Sequence, residues 1–292
     1  MFSNAYKLAS CFTQPVVISI RFFDKTVECG CGAFIILNEN GWVVTVAHLF
    51  ESLFAFNQHA KEISEYNKEL KALQEDQGLS VKQKKKKSDR LKRNPKWIMN
   101  HSFWWGRDGV QLKDIKLLSE GDLAIGRLDP FDPKTTTTYP AIKNPTTLNL
   151  GTSLCKLGYP FHKIEATFNE TNNRFELAQG ALPLPRFPIE GIYTRNILAG
   201  KSKDGKYDLK FLETSSPGLR GQSGGPIFDV NGIIWAVQSR TVNLPLGFSP
   251  KIMKNGKEIE ENQFLNVGIG IHPEVLVKFL SDNGVKFNLS ES

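Results

Sequence analysis

The chain has 292 residues, 40% of them hydrophobic, which excludes global disorder and suits one large domain or two modest ones sharing an interface. Its net charge of +7 is local: Lys82 to Arg93 (KQKKKKSDRLKR) holds eight basic residues and one acid, so the remainder sums to about zero. A nucleic-acid reading therefore rests on that one segment, and no aromatic residue interleaves it for base stacking, so nucleic acid is an unlikely partner. The four cysteines, Cys11, Cys29, Cys31 and Cys155, do not read as a disulfide framework for a chain of this size. The N-terminal stretch MFSNAYKLASCFTQPVV has one lysine, no unbroken apolar run and a proline where such a run should grow, so a signal peptide is not expected. No stretch reaches the roughly 18 apolar residues of a membrane span. These features set the expectation of a cytoplasmic, reducing location with no membrane partner.

In chain order, Val16 to Phe23 (VVISIRFF) is β-rich, and AFIILN and WVVTV are two further strands joined by the hairpin-like turn ENG. From Glu51 the period changes. Phe56, Ile63, Leu70 and Gln77 recur every seven residues with Tyr66 and Leu73 between them, a helical stripe expected to pack on its own domain. The basic run that follows reads as a solvated, mobile loop ended by Pro95. Trp97 to Leu128 returns to short strands, with Phe103, Trp104 and Trp105 expected in core or cleft wall. DPFDPKTTTTYP reads as an exposed linker, and TSLCKLGYP opens a second β unit whose short strands run to Ile271. KFLET and GIIWAVQS are expected to pair within it. PEVLVKFLSDN is an amphipathic helix with Pro273 at its first position and Gly284 just past its end.

Within the second unit, GLRGQSGGPIFD (218–229) crowds four glycines around Ser223. A serine hydroxyl is a weak nucleophile that needs a neighbouring base, and backbone N–H groups aimed at the oxyanion that forms. A glycine two positions before the serine lets the N–H groups of Gly221 and Ser223 converge, and the glycines after it permit close approach of other chain segments. In an α/β-hydrolase a helix follows the serine and the histidine comes last. Here Gly224, Gly225 and Pro226 oppose a helix, and the only later histidine, His272, precedes a proline at a helix start. The order histidine, aspartate, serine is met instead. His48 follows the strand of VVTVAHL, and Asp122 heads the apolar strand of GDLAIGRL. An imidazole can take the serine proton and return it to the leaving group, oriented by the carboxylate.

These motifs resemble those of chymotrypsin-fold (trypsin-like) serine proteases, nearest to HtrA/Deg-type and intracellular bacterial trypsin-like peptidases. VVTVAHLF is similar to the family's histidine motif, GDLAIGRL to its aspartate motif, and ETSSPGLRGQSGGPIFDVNGIIWAVQS to its serine motif with the following strands. LCKLGYPF and NVGIGIHPEVLVKFL resemble the opening and the close of the second barrel. The resemblance spans about residues 14 to 284 apart from an insertion at roughly 51 to 95. It implies an all-β fold of two packed antiparallel six-stranded β-barrels with a helical insertion and a C-terminal α-helix. The N-terminal barrel would occupy 1–134, with the 51–95 insertion, His48 and Asp122. The C-terminal barrel would occupy 135–292, with Ser223 and a closing helix at about 273–283.

The resemblance further implies an endopeptidase acting through His48, Asp122 and Ser223, with an oxyanion hole at Gly221 and Ser223. Pro217, Val237, Gln238 and Ser239 would bind substrate. The position that carries an acid in trypsins aligns near Pro217, so a small or apolar substrate side chain is expected there. Arg220 and Arg240 are the residues that would favour acidic substrates. No metal or cofactor is expected, since Cys29 and Cys31 lack a second pair at finger spacing. The absence of a PDZ domain after Gly284, with the added helix, sets the expectation of an activating protein partner in a defence or stress pathway. Two alternatives stay open: a catalytically silent peptide-binding module of the same fold, and nucleic-acid binding through Lys82 to Arg93.

Overall fold

The computed structural model describes residues 1–91 and 93–291; Lys92, one member of the basic run, lies outside the described residues. The chain opens with helix α1 (Ser3–Phe12), which the sequence reading did not anticipate. Ala5, Ala9 and Phe12 recur at helical spacing and are fully buried, so a short amphipathic segment is stabilised by packing rather than by intrinsic propensity.

Six strands form the first sheet: β1 (Thr13–Phe22), β2 (Val27–Ile36), β3 (Trp42–Thr45), β4 (Ile98–Trp105), β5 (Gln111–Leu118) and β6 (Leu123–Asp129). Their order is β4-β1-β2-β3-β6-β5, with every pairing antiparallel, so the sheet curls into a half-barrel. Between β3 and β4 the chain leaves the sheet as helix α2 (Glu51–Glu75) and helix α3 (Val81–Ser88).

The root of α2 is seated on β4 and its approach. Phe56 stacks on His101, and Tyr66 meets Trp97 and Phe23 edge-on. Ser52 Oγ lies 2.9 Å from His101 Nε2, and Trp97 Nε1 donates to Glu62 at 2.7 Å. Phe56 and Tyr66 of the heptad stripe thus pack on the first sheet and its approach, while Ile63, Leu70 and Leu73 are only partly buried and no residue of α2 is fully buried. The described part of the basic run departs from the expected loop. Val81–Ser88 is helical because Ser80 and Gln83 form a reciprocal capping box that satisfies two N-terminal donors.

The second sheet comprises β7 (Ala141–Ile142), β8 (Ser153–Gly158), β11 (Phe187–Lys201), β12 (Asp208–Thr214), β13 (Pro226–Phe228), β14 (Ile234–Pro245), β17 (Phe264–Ile271) and β18 (Asn288–Leu289). Its order is β13-β8-β11-β12-β17-β14-β7-β18, and β13 also pairs with β14. That extra pairing closes six strands into an antiparallel barrel, to which the two-residue β7 and β18 are appended in parallel. KFLET and GIIWAVQS do not pair with each other: β17 lies between them. Two small hairpins, β9 (Ala166–Asn169) with β10 (Arg174–Leu177) and β15 (Lys251–Lys254) with β16 (Lys257–Glu260), stand off the barrel.

Helix α4 (Pro273–Asp282) closes the chain's fold, capped by His272, whose Nδ1 accepts the Glu274 N–H. Val275, Leu276, Phe279 and Leu280 enter a core shared by both sheets, which also holds Val44, Ile125, Leu157, Val237 and Ile271. The fold is mostly β, two packed β units with a helical insertion and a C-terminal helix. Among the described residues no helix is long and apolar enough to cross a membrane, and all four cysteines carry free thiols.

Candidate active site

The first sheet delivers His48 and Asp122 to its edge. His48 sits in the short 3-10 turn Ala47–Phe50 that follows β3, and Asp122 sits just before β6, the neighbour of β3. Strand pairing therefore joins residues 74 apart in sequence. Asp122 Oδ1 accepts the His48 backbone N–H at 2.9 Å, Asp122 Oδ2 lies 2.9 Å from His48 Nδ1, and Ala47 N–H donates to Asp122 O at 3.1 Å. Asp122 holds a left-handed φ of 52°, uncommon outside glycine, and these bonds fix it there.

Burial by itself would lower the His48 pKa. The hydrogen bond and negative charge of Asp122 outweigh it and hold the imidazole above its ordinary 6.5, against a small opposing push from Arg240. Burial by itself would raise Asp122. Its bonds to His48 and Ser239 and the His48 charge outweigh that, so the carboxyl lies below its ordinary value.

Ser223 reaches the same place from the second sheet. Ser239 links the groups: its Oγ donates to Asp122 Oδ2 at 2.5 Å, and its carbonyl accepts from Ser223 Oγ at 3.3 Å. Among the described residues no hydrogen bond joins Ser223 directly to His48; the Ser223 hydroxyl is engaged by Ser239 O instead.

The turn before the serine has the form of a type II turn, with Gly221 at φ 97° and Gln222 N–H donating to Leu219 O at 2.9 Å. Only glycine fits: a Cβ at 221 would lie 2.4 Å from Tyr159 O, while Tyr159 N–H donates to Gly221 O at 2.9 Å. Gln222, fully buried, braces the turn. Its Oε1 accepts Leu219 N–H at 2.9 Å and its Nε2 donates to Phe187 O at 3.2 Å. Among the described residues the N–H groups of Gly221 and Ser223 donate to no protein acceptor. Two unengaged backbone donors flanking a serine are the form an oxyanion site takes.

A family model described as "Trypsin-like peptidase domain" matches residues 31–237. The chain belongs to the trypsin-like peptidase family. As a member it is a serine protease, and the family brings with it a catalytic triad. No curated protein matches the chain. Among solved structures, an HtrA-type protease, AlgW, in a serine-to-alanine variant with a decapeptide, is similar at 13% identity with a TM-score of 0.50, covering 97% of this chain and 68% of that one. The Rv3671c protease of M. tuberculosis in its active form is similar at 13% identity and a TM-score of 0.48, covering 98% of this chain and 88% of that one. AlgW with a tripeptide is similar at 15% identity and a TM-score of 0.48, covering 98% and 65%.

The residues expected to bind substrate divide in this trypsin-like peptidase. Ser239 touches Asp122 and Ser223 directly. Gln238 is 1% exposed, with Nε2 donating to the carbonyls of Arg240 and Ile269. Pro217 offers its carbonyl, which accepts from Lys156 Nζ at 3.2 Å. Val237 is packed inside the core shared by both sheets. Arg240 is exposed, its guanidinium 4.7 Å from the centre of the Phe211 ring, and Arg220 is exposed beside the groove along Cys29 to Cys31. The sequence reading missed Gln222, Lys156 and Thr241. The one signal for Lys156 was a lysine inside the apolar strand SLCKLG.

Proposed function

We propose that this trypsin-like peptidase cleaves peptide bonds through an acyl-enzyme on Ser223. His48 takes the serine proton and returns it to the leaving amine, and Asp122 holds the imidazole with its Nδ1 protonated. The N–H groups of Gly221 and Ser223 receive the oxyanion. The observation that carries this reading is the run of contacts His48–Asp122–Ser239–Ser223, which gathers three sequence-distant side chains at one point between the sheets.

Substrates on this reading are proteins or peptides lying along the cleft. Their N-terminal side would pair with the edge of β14 at Ser239 to Thr241, and their C-terminal side would enter the groove lined by Cys29, Cys31, Phe161 and Leu219, of about 1150 Å³. The reading needs no metal or cofactor. The braced Leu219–Gln222 turn favours activity without an activating partner. Four free thiols fit a reducing, cytoplasmic location.

A second reading, a silent peptide-binding module, draws on one observation: Ser223 Oγ is bonded to Ser239 O rather than to His48. A fluorophosphonate probe separates the two. Labelling of the wild type and not of Ser223→Ala supports the enzyme; an unlabelled wild type that still binds peptides supports the module.

A further inference from the structure

The interior of the second barrel contains a lysine with no carboxylate partner. Lys156 lies on β8 and is 1% exposed. Its strand partners are Ile189 on β11 and Ile227 on β13. Its side chain runs to the segment just before the serine motif, where Nζ donates to Ser216 O, to Ser216 Oγ at 2.7 Å and to Pro217 O at 3.2 Å. Among the described residues it forms no ion pair. The nearest titratable group to act on it is the neighbouring Cys155 thiol, while Ser216, Thr214, Gly268 and Gln238 around it are uncharged.

Three carbonyl and hydroxyl oxygens satisfy its protons but do not neutralise it. A buried ammonium without a counter-ion is costly, and an anion brought beside it would relieve that cost.

The groups around Lys156 lie beside the serine motif and close on one another, so a substrate side chain would have to part them to form a pocket. One wall is 216–218; the other is the start of the β14 edge, Gln238 to Thr241. Thr241 Oγ1 donates to Gly218 O at 2.5 Å across them, and a Cβ at Gly218 would collide with the Gln238 amide at 2.1 Å. Gly268 forms the floor, where a Cβ would lie 2.7 Å from Lys156 Nζ and any larger residue would cover the ammonium. Gln238 Oε1 is buried and has no hydrogen-bond partner among the described residues. The cluster thus combines an ammonium, a hydroxyl and an amide, all of them polar and none acidic.

We infer that Lys156 makes this pocket selective for a carboxylate, so that the enzyme cleaves after glutamate or aspartate. This rests on the protease reading above and replaces the small or apolar preference expected from Pro217. The substrate carboxylate becomes the missing counter-ion, Thr241 turns from Gly218 O to donate to it, and Gln238 yields space. Arg240 at the rim adds the same sign of charge.

The test uses peptides identical except for glutamate, glutamine, alanine or lysine before the scissile bond. They are assayed at about pH 6, where the lysine is charged, on wild type and Lys156→Met, which conserves side-chain volume and removes the charge. The wild type is expected to favour glutamate over glutamine at least tenfold in kcat/KM. Lys156→Met is expected to lose that ratio while still cleaving after alanine or glutamine.

The same four peptides, ending at that residue, are titrated calorimetrically into Ser223→Ala and Ser223→Ala/Lys156→Met. This reads the pocket without turnover. An equal or higher preference for glutamine, alanine or lysine in the wild type overturns the inference, as does a glutamate preference that survives Lys156→Met. Glutamate-selective binding with no cleavage and no fluorophosphonate labelling would instead sink the protease reading and leave the pocket assignment standing.

Discussion

Replacing Asp122 with asparagine tests the catalytic geometry directly. Asp122 Oδ1 is held by the His48 backbone N–H at 2.9 Å, so the asparagine oxygen must stay there and its NH2 must face His48 Nδ1, where Oδ2 now lies 2.9 Å away. An NH2 group donates, so Nδ1 becomes an acceptor and the imidazole proton moves to Nε2, the atom that must receive the serine proton. The carboxylate charge is lost as well. A unit-charge pair about 4 Å apart at an effective dielectric near 20 is worth about 4 kcal/mol, close to three decades in rate. The same acid-to-amide change in a Ser-His-Asp triad costs about 10⁴ in kcat. We expect kcat/KM to fall by about 10³ to 10⁴ with about 1 to 2 kcal/mol lost in stability, since the two hydrogen bonds that Oδ2 accepts, from His48 and Ser239, are reversed while the packing stays.

The pH profile gives a second readout. Activity needs neutral His48, whose pKa stands above 6.5, so the wild-type rate falls as pH drops through that raised value. In Asp122→Asn, burial and Arg240 act without the opposing carboxylate, so the limb moves to lower pH. Peptide hydrolysis from about pH 5 to pH 9 beside thermal melts measures both. A variant within about tenfold of wild type, with an unmoved limb, would refute the triad reasoning.

Three further outcomes follow. Gly221→Ala forces a Cβ to 2.4 Å from Tyr159 O at a φ of 97°, so kcat/KM should fall at least about a hundredfold and the melting temperature should drop. Gln222→Met leaves Leu219 N–H and Phe187 C=O without their side-chain partner; kcat should fall about tenfold or more with KM nearly constant, because the oxyanion turn and not the substrate pocket is loosened. Burial lowers Lys156 to about 7, so in this range the unfolded chain binds more protons than the folded one. Stability from this group therefore rises with pH between about 7 and 10, by up to about 1.4 kcal/mol per unit, and guanidinium melts of Lys156→Met should lack that slope.

The order histidine, aspartate, serine was legible because each motif carries its own local chemistry. A histidine after an apolar strand, an aspartate before one and a serine among glycines can be read from a few neighbouring residues. The helical insertion was legible from its heptad spacing, and the closing helix from Pro273 and Gly284. Other features depend on partners remote in sequence. Helix α1 is held by Ala5 and Ala9 against strands far along the chain, and its short length gives little periodicity to read. Helix α3 follows from the Ser80–Gln83 cap, which a run of lysines obscures. The specificity pocket was sought in the segment before Ser223 and in the strand opposite, at Val237 to Ser239, whereas the charge we infer for it comes from Lys156 on the strand that opens the second barrel. Nothing near Pro217 signals it, because the contact is made through backbone oxygens.

Gly224 and Ala33 meet where the two sheets touch. Ala33 N–H donates to Ser223 O at 2.8 Å, and a Cβ on Gly224 would lie 2.0 Å from Ala33 O. The loop bearing the nucleophile is thus spliced to a strand of the opposite sheet at the nucleophile itself. Sliding one half past the other would tear that seam, so the main chain itself ties the position of the hydroxyl to the sheet that carries the imidazole.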